Sequence, residues 1–173
     1  MASLPYPLKT IQDLMRPQHK PKENKSDMQE ILNEMLKHYG LKEIVGKKHN
    51  PEIVKMFSEI DYDWVKDDET AWCSASLNFF CKKLGYDRSH ALDARSWLKI
   101  PTVVLKPELG DVVVFWRESP DSWKGHVGLF INWDDNNVWT LGGNQSNMIK
   151  ISPYPRERLI GCRRPKKIKT DTT

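Results

Sequence analysis

Apolar residues recur at helical spacing as far as Leu98 and at strand spacing after Pro101. Ile31, Leu32, Met35, Leu36 and Tyr39 share one helical face, behind a Ser26-x-x-Gln29 capping box and ahead of a Gly40 stop. Asn50-Pro51 pairs a cap with a first-turn Pro, and Ile53, Met56, Phe57 and Ile60 follow as the inward face of a second helix. Asp67, Asp68, Glu69 and Thr70 read as the acidic, cap-like lead-in of a third helix, whose face is Leu77, Phe80, Cys81 and Leu84 and whose end is Gly85. That spacing puts Cys73 in a helix's first turn. A shorter helical piece spans His90 to Leu98.

The period then changes. Val112 to Trp116 is a buried strand entered through the turn at Pro107 to Asp111, and His126 to Trp133 is a second. Asp134 to Asn137 is a hairpin turn, and strands are expected at Val138–Leu141, Met148–Ile151 and Leu159–Arg163. Helices followed by a strand meander predict an α+β fold, with an antiparallel sheet and helices on one side.

The chain has 173 residues, of which 39% are hydrophobic and 10% aromatic. Such a composition offsets ordering entropy and excludes disorder over most of the length. Residues 1–25, with Pro5, Pro7, Pro17 and Pro21, read as an arm; 26–165 form one domain; 166–173 form a basic tail, expected to be solvated. No stretch has the length of a membrane span, and the N-terminus has no signal-peptide core. The expectation is synthesis in a cytoplasm. Charge is 27 − 23 = +4, which suits an anionic partner without choosing one.

Phosphate-loop, dinucleotide, zinc-protease and nucleophile-elbow motifs are absent. Three scattered Cys and five His lack paired metal-ligand spacing, so no metal and no cofactor are expected. The acidic cluster of Asp61, Asp63, Asp67 and Asp68 lacks a calcium-loop pattern and is read as a helix lead-in. What remains is a Cys/His arrangement. A helix N-terminus lowers a thiol's pKa and offers N–H groups to an oxyanion, which fits Cys73 as a nucleophile. His126, in Gly125-His126-Val127-Gly128, is a candidate base on a strand, and Asn144 a candidate to orient its ring from the next strand. Taken singly, each residue reads equally well as core or turn, and spacing alone leaves both readings open. Cys81 is expected in the core.

Six blocks occur in order: Asp68-Glu69-Thr70-Ala71-Trp72-Cys73-Ser74-Ala75, Ala94-Arg95-Ser96-Trp97-Leu98, Gly110–Phe115, Gly125–Gly128, Leu141-Gly142-Gly143-Asn144-Gln145-Ser146, and Ile151–Arg156 continuing to Leu159. Together they resemble the CHAP-like branch of the NlpC/P60 superfamily, papain-like peptidoglycan amidases and endopeptidases of bacteria and phages. The resemblance covers roughly Ile31 to Pro165.

It implies a Cys-bearing helix packed on a five- to six-stranded antiparallel sheet that carries the His. Cys73 would be the nucleophile, His126 the base and later the acid, and Asn144 the orienting group. Glu69, Trp72, Ser74, Trp97, Gly125 and Gln145 would line the cleft. The implied reaction cleaves an amide of the bacterial wall through a thioester, in phage lysis after a holin opens the membrane. A secreted effector with an immunity protein is the alternative setting.

The expected partner is peptidoglycan, the expected state a monomer, and no nucleic acid is expected. Two further readings compete: a non-catalytic wall- or nucleic-acid-binding module using the basic tail and Trp side chains, and an acyltransferase using the same site.

Overall fold

The computed structural model describes residues 27–169; the expected arm and the Ser26 cap lie outside them. Helix α1 runs over Asp27–Leu36, α2 over Pro51–Ser58 and α3 over Cys73–Leu84, followed by a 3-10 turn at Ala94–Lys99. The strands are β1 Val112–Trp116, β2 Gly125–Trp133, β3 Asn137–Gly142, β4 Lys150–Pro155 and β5 Leu159–Arg163. They form one antiparallel sheet in the order β4-β3-β2-β1-β5. The α+β architecture expected from the sequence is the one observed, with five strands.

Local signals account for the elements. The Asn50 side chain accepts from the Glu52 amide at 3.0 Å and so caps α2. Gly85 closes α3 in the left-handed conformation, φ 74°, and its N–H faces the Cys81 and Lys82 carbonyls. The piece expected at His90–Leu98 is a 3-10 turn capped by Asp93, whose carboxylate accepts from the Ser96 amide at 2.8 Å. The fourth strand lies further along than expected, because Pro153 and Pro155 argue against a strand. They are tolerated since β4 is a sheet edge, where a missing N–H can face outward. Tyr39 lies beyond the end of α1 and is exposed rather than inward.

The helices cover one face of the sheet. Ile31, Leu32, Phe57, Leu77, Phe80 and Trp97 pack there against Val112, Val114, Val127, Leu129 and Leu141. Each fully buried side chain of this kind contributes about 1.5–3 kcal/mol. The other face carries a second cluster of Val113, Phe115, Phe130, Val138 and Cys162, with Tyr154 and Leu159 packed against it. Apolar cover on both faces explains why Val112 to Phe115 reads as an unbroken apolar run.

Two of the C-terminal basic residues, Arg164 and Lys167, have partners. Arg164 holds Asp111 through two bonds of 2.7 Å, and Lys167 pairs with Glu30 at 2.8 Å and lies over the Tyr86 ring. Among the described residues no helix is long and apolar enough to cross a membrane.

Candidate active site

Cys73 is the first residue of α3 and is 8% exposed. The acidic lead-in is not part of the helix. Asp67 instead closes its own turn, accepting from the Glu69 and Thr70 amides and the Thr70 hydroxyl. Asp68 is fully buried and accepts from the Ile44 amide (2.9 Å), the Asn50 amide (2.8 Å) and His49 Nδ1 (3.0 Å). Burial opposes its charge, but these donors outweigh it and hold the carboxyl below its ordinary value. The cluster thus ties the loop before α2 to the lead-in of α3.

Trp72 sets the height of the helix start. It is fully buried, its indole N–H donates to Glu43 Oε1 at 2.8 Å, and its ring lies beneath Gly143. A Cβ at Gly143 would meet Trp72 ring carbons at 2.8 Å and the Ser76 hydroxyl closer still, so only glycine fits this crossing. Ser74 and Trp97 also lie behind the helix start. The Ser74 hydroxyl donates to the Ala91 carbonyl at 2.6 Å and accepts from the Trp97 indole at 2.9 Å. Both residues are buried, as Trp72 is, so these three expected cleft residues are supports of the cysteine rather than walls. Glu69 is exposed. Gly125 opens β2 opposite Trp116, and its missing Cβ makes room for the Phe115 carbonyl at 2.8 Å; its smallness serves strand packing.

His126 pairs across the sheet with Phe115 and is 3% exposed. Its Nε2 lies 3.1 Å from Gln145 Oε1. The amide nitrogen of Gln145 donates to the Thr140 carbonyl at 3.0 Å and to the Lys150 carbonyl. Those two acceptors fix which end of the amide faces the ring. Oε1 must accept, so Nε2 carries the proton and Nδ1 keeps the lone pair.

Asn144, the residue expected to orient His126, points elsewhere. Oriented by its surroundings, its oxygen accepts from the Trp72 amide and its nitrogen donates to Glu43 Oε1, both at 3.2 Å. It holds the cysteine helix, and the ring partner is its neighbour. Asn144 has φ 55°, and this left-handed residue reverses the chain so that Gln145 is the side chain turned back to the histidine.

The thiol lies against the start of β2, at the residue that follows the histidine. The amide N–H of Val127, the residue after His126, faces the Cys73 sulfur, as does that of Ser74. Pairing between β2 and β3 runs from Trp133 back to Leu129, opposite Leu141, so that residues 125–128, His126 among them, have no ladder partner in β3.

Tyr154 stacks on the His126 ring, with centroids 4.5 Å apart and planes 8° from parallel, and Phe115 stacks on Tyr154 at 4.9 Å. Burial pushes the Tyr154 phenol up, and proximity to Cys73 adds to that rise. No local pattern marks this stack, because it depends on the register of the edge strand.

Electrostatics differ from the expected thiolate. Burial raises the Cys73 thiol above its ordinary value, outweighing the Val127 and Ser74 amides and the Arg117 charge. Burial also lowers His126 to about 4, against the Gln145 bond, with Arg117 adding to the fall. At neutral pH the pair is a thiol beside a neutral imidazole. Such a pair works by general-base transfer as the sulfur attacks. Cys81 and Cys162 are buried in the two apolar clusters, where burial pushes their thiols up, Cys162 to about 11. Among the described residues no three His, Cys, Asp or Glu side chains gather as a metal ion requires.

No protein-family profile matches the chain, and no curated protein matches it. Among solved structures it is similar to a protein from Staphylococcus aureus subsp. aureus Mu50, described as similar to lipoprotein, NLP/P60 family. Identity is 18% and the TM-score 0.48, over 84% of this chain and 44% of that one. The chain therefore spans less than half of that protein's length.

Proposed function

We propose that this chain is a cysteine amide hydrolase acting on bacterial peptidoglycan. The observation that carries the chemistry is the His126–Gln145 bond, made by the residue just before the amide that faces a thiol at a helix start. It leaves a neutral imidazole with its free lone pair on Nδ1. The six ordered sequence blocks support the choice of substrate.

The Cys73 proton passes to His126 Nδ1 as the sulfur adds to the amide carbonyl. The N–H groups at the start of α3 face the developing oxyanion. The C–N bond then breaks, with the imidazolium proton going to the departing amine, and a thioester remains. Water gives a proton to the same nitrogen and adds to the thioester, which releases the acid and restores the thiol.

The test is mass spectrometry of purified peptidoglycan digested with the wild type and with Cys73→Ala. Soluble fragments from the wild type alone are expected. Their masses separate an amidase, which frees the muramic lactyl carboxyl, from an endopeptidase, which leaves new termini within the stem peptide. Equal release by both proteins would overturn the assignment. The proposed setting is phage lysis, for which co-expression with a holin should lyse a sensitive host and the Cys73→Ala variant should not. Lysis by the holin pair regardless of Cys73 would remove that role.

A further inference from the structure

The hairpin that leads into His126 carries a cation whose side chain the mechanism above does not use. Arg117 is the residue after β1, and its amide donates to the Lys124 carbonyl at 3.1 Å. Phe115 lies opposite His126, so Arg117 opposite Lys124 falls on the same face as both, diagonal to the histidine. Diagonal neighbours on a sheet sit about 7–8 Å apart, within the reach of an arginine.

Nearby cations are occupied. Lys124 pairs with Glu118 at 2.6 Å, the Arg95 guanidinium donates to the Pro120 carbonyl at 2.6 Å, and Arg158 lies over the Trp116 ring. The first two contacts also hold the hairpin loop in place. The Arg117 side chain is exposed and has no hydrogen bond or ion pair among the described residues. From that cross-strand place beside the histidine, its charge favours the deprotonated forms of Cys73, His126 and Tyr154 together.

A guanidinium near a buried, uncharged thiol–imidazole pair has no role in balancing the site's own charge. It suits a planar anion brought by the substrate, which it can bind through two parallel N–H bonds. We propose that Arg117 binds a free carboxylate on the residue flanking the scissile amide, so that the preferred substrates are stem-peptide amides next to an unamidated acid. This rests on the peptidoglycan-hydrolase reading for the identity of the substrate, but its chemistry can be probed separately.

Two experiments decide it. The first compares stem peptides that differ only in whether that carboxyl is free or carboxamidated. The wild type should favour the free acid by ~10- to 100-fold in kcat/KM, as expected for a hydrogen bond between charged groups. Arg117→Gln should narrow the preference to within about twofold, and Arg117→Lys should restore part of it.

The second needs no substrate: alkylation of Cys73 by anionic iodoacetate against neutral iodoacetamide, followed by peptide mapping. The wild-type rate ratio should exceed that of free cysteine and fall by about threefold or more in Arg117→Gln. An unchanged ratio, or an equal loss on both peptides, would overturn the role of Arg117. If the ratio responds to Arg117 while no peptide is cut, the substrate assignment falls and the anion site stands. If peptides are cut without any carboxylate preference, the reverse holds.

Discussion

Gln145 presents its oxygen to His126 Nε2 at 3.1 Å while its nitrogen is committed to the Thr140 and Lys150 carbonyls. An amide is required here, since one end must accept and the other donate. Gln145→Ala should free the imidazole to rotate and lower kcat by ~10²–10⁴-fold with a smaller change in KM. Gln145→Glu should fail differently. A carboxylate oxygen would face two carbonyls, destabilising the fold by about 1–3 kcal/mol in denaturant titration. A Gln145→Glu protein as stable as the wild type would mean that the amide nitrogen is dispensable.

Cys73 should behave as a buried thiol rather than a preformed thiolate. Burial raises its proton affinity, so iodoacetamide labelling should be slow at neutral pH and climb steadily into the alkaline range. A rate that levels off below pH 7, read by mass spectrometry of the Cys73 peptide, would show that the helix start dominates instead.

His126 links stability to acid. Its folded value is about 4 against an ordinary 6.5, so the folded state binds this proton less tightly than the unfolded chain does. Its contribution is complete above pH 6.5 and is lost as pH falls toward 4, by up to ~3 kcal/mol. His126→Gln should flatten the pH dependence of the denaturation midpoint in that window. Asp67 and Asp68, both held below the ordinary 3.8, extend the loss to lower pH. For the same reason the acid limb of kcat/KM should lie near 4, because the base stays neutral down to that point. An acid limb near 6.5 would contradict the buried, neutral imidazole.

Asp68 should matter for folding more than for chemistry. Asp68→Ala leaves the Ile44 and Asn50 amides and His49 without their acceptor, at a cost of about 2–4 kcal/mol. Thermal unfolding reads this directly. A shift of the midpoint within error would mean that the loop closes without its carboxylate.

The helical face of α2 and the apolar run of β1 were legible from periodicity, because both depend on local repeat and burial. Cys73 and His126 were legible as candidates because their types and order carry chemistry. The choice between Asn144 and Gln145 was not. Adjacent amides are equivalent in composition, and only the left-handed backbone at Asn144, φ 55°, decides which one turns back. Trp72, Ser74 and Trp97 were read as cleft residues because they sit beside the cysteine in sequence or in a shared block. The helix start turns Trp72 and Ser74 inward and the 3-10 turn does the same for Trp97, so a place in those blocks did not become exposure. Arg117 and Tyr154 were missed for a related reason: their places follow from cross-strand pairing, which no local pattern encodes.

In the proposed mechanism the nucleophile comes from the helical layer, its base from β2 and the orienting amide from the loop after β3. The start of β2, where the Val127 amide faces the Cys73 sulfur, is the seam where they meet. Neither layer contains a working site alone. Turnover is therefore a gauge of how well the two halves are docked, finer than any measure of helix or strand content. On gentle heating, activity should fade while circular dichroism still reports a folded protein, as the layers part before either one melts.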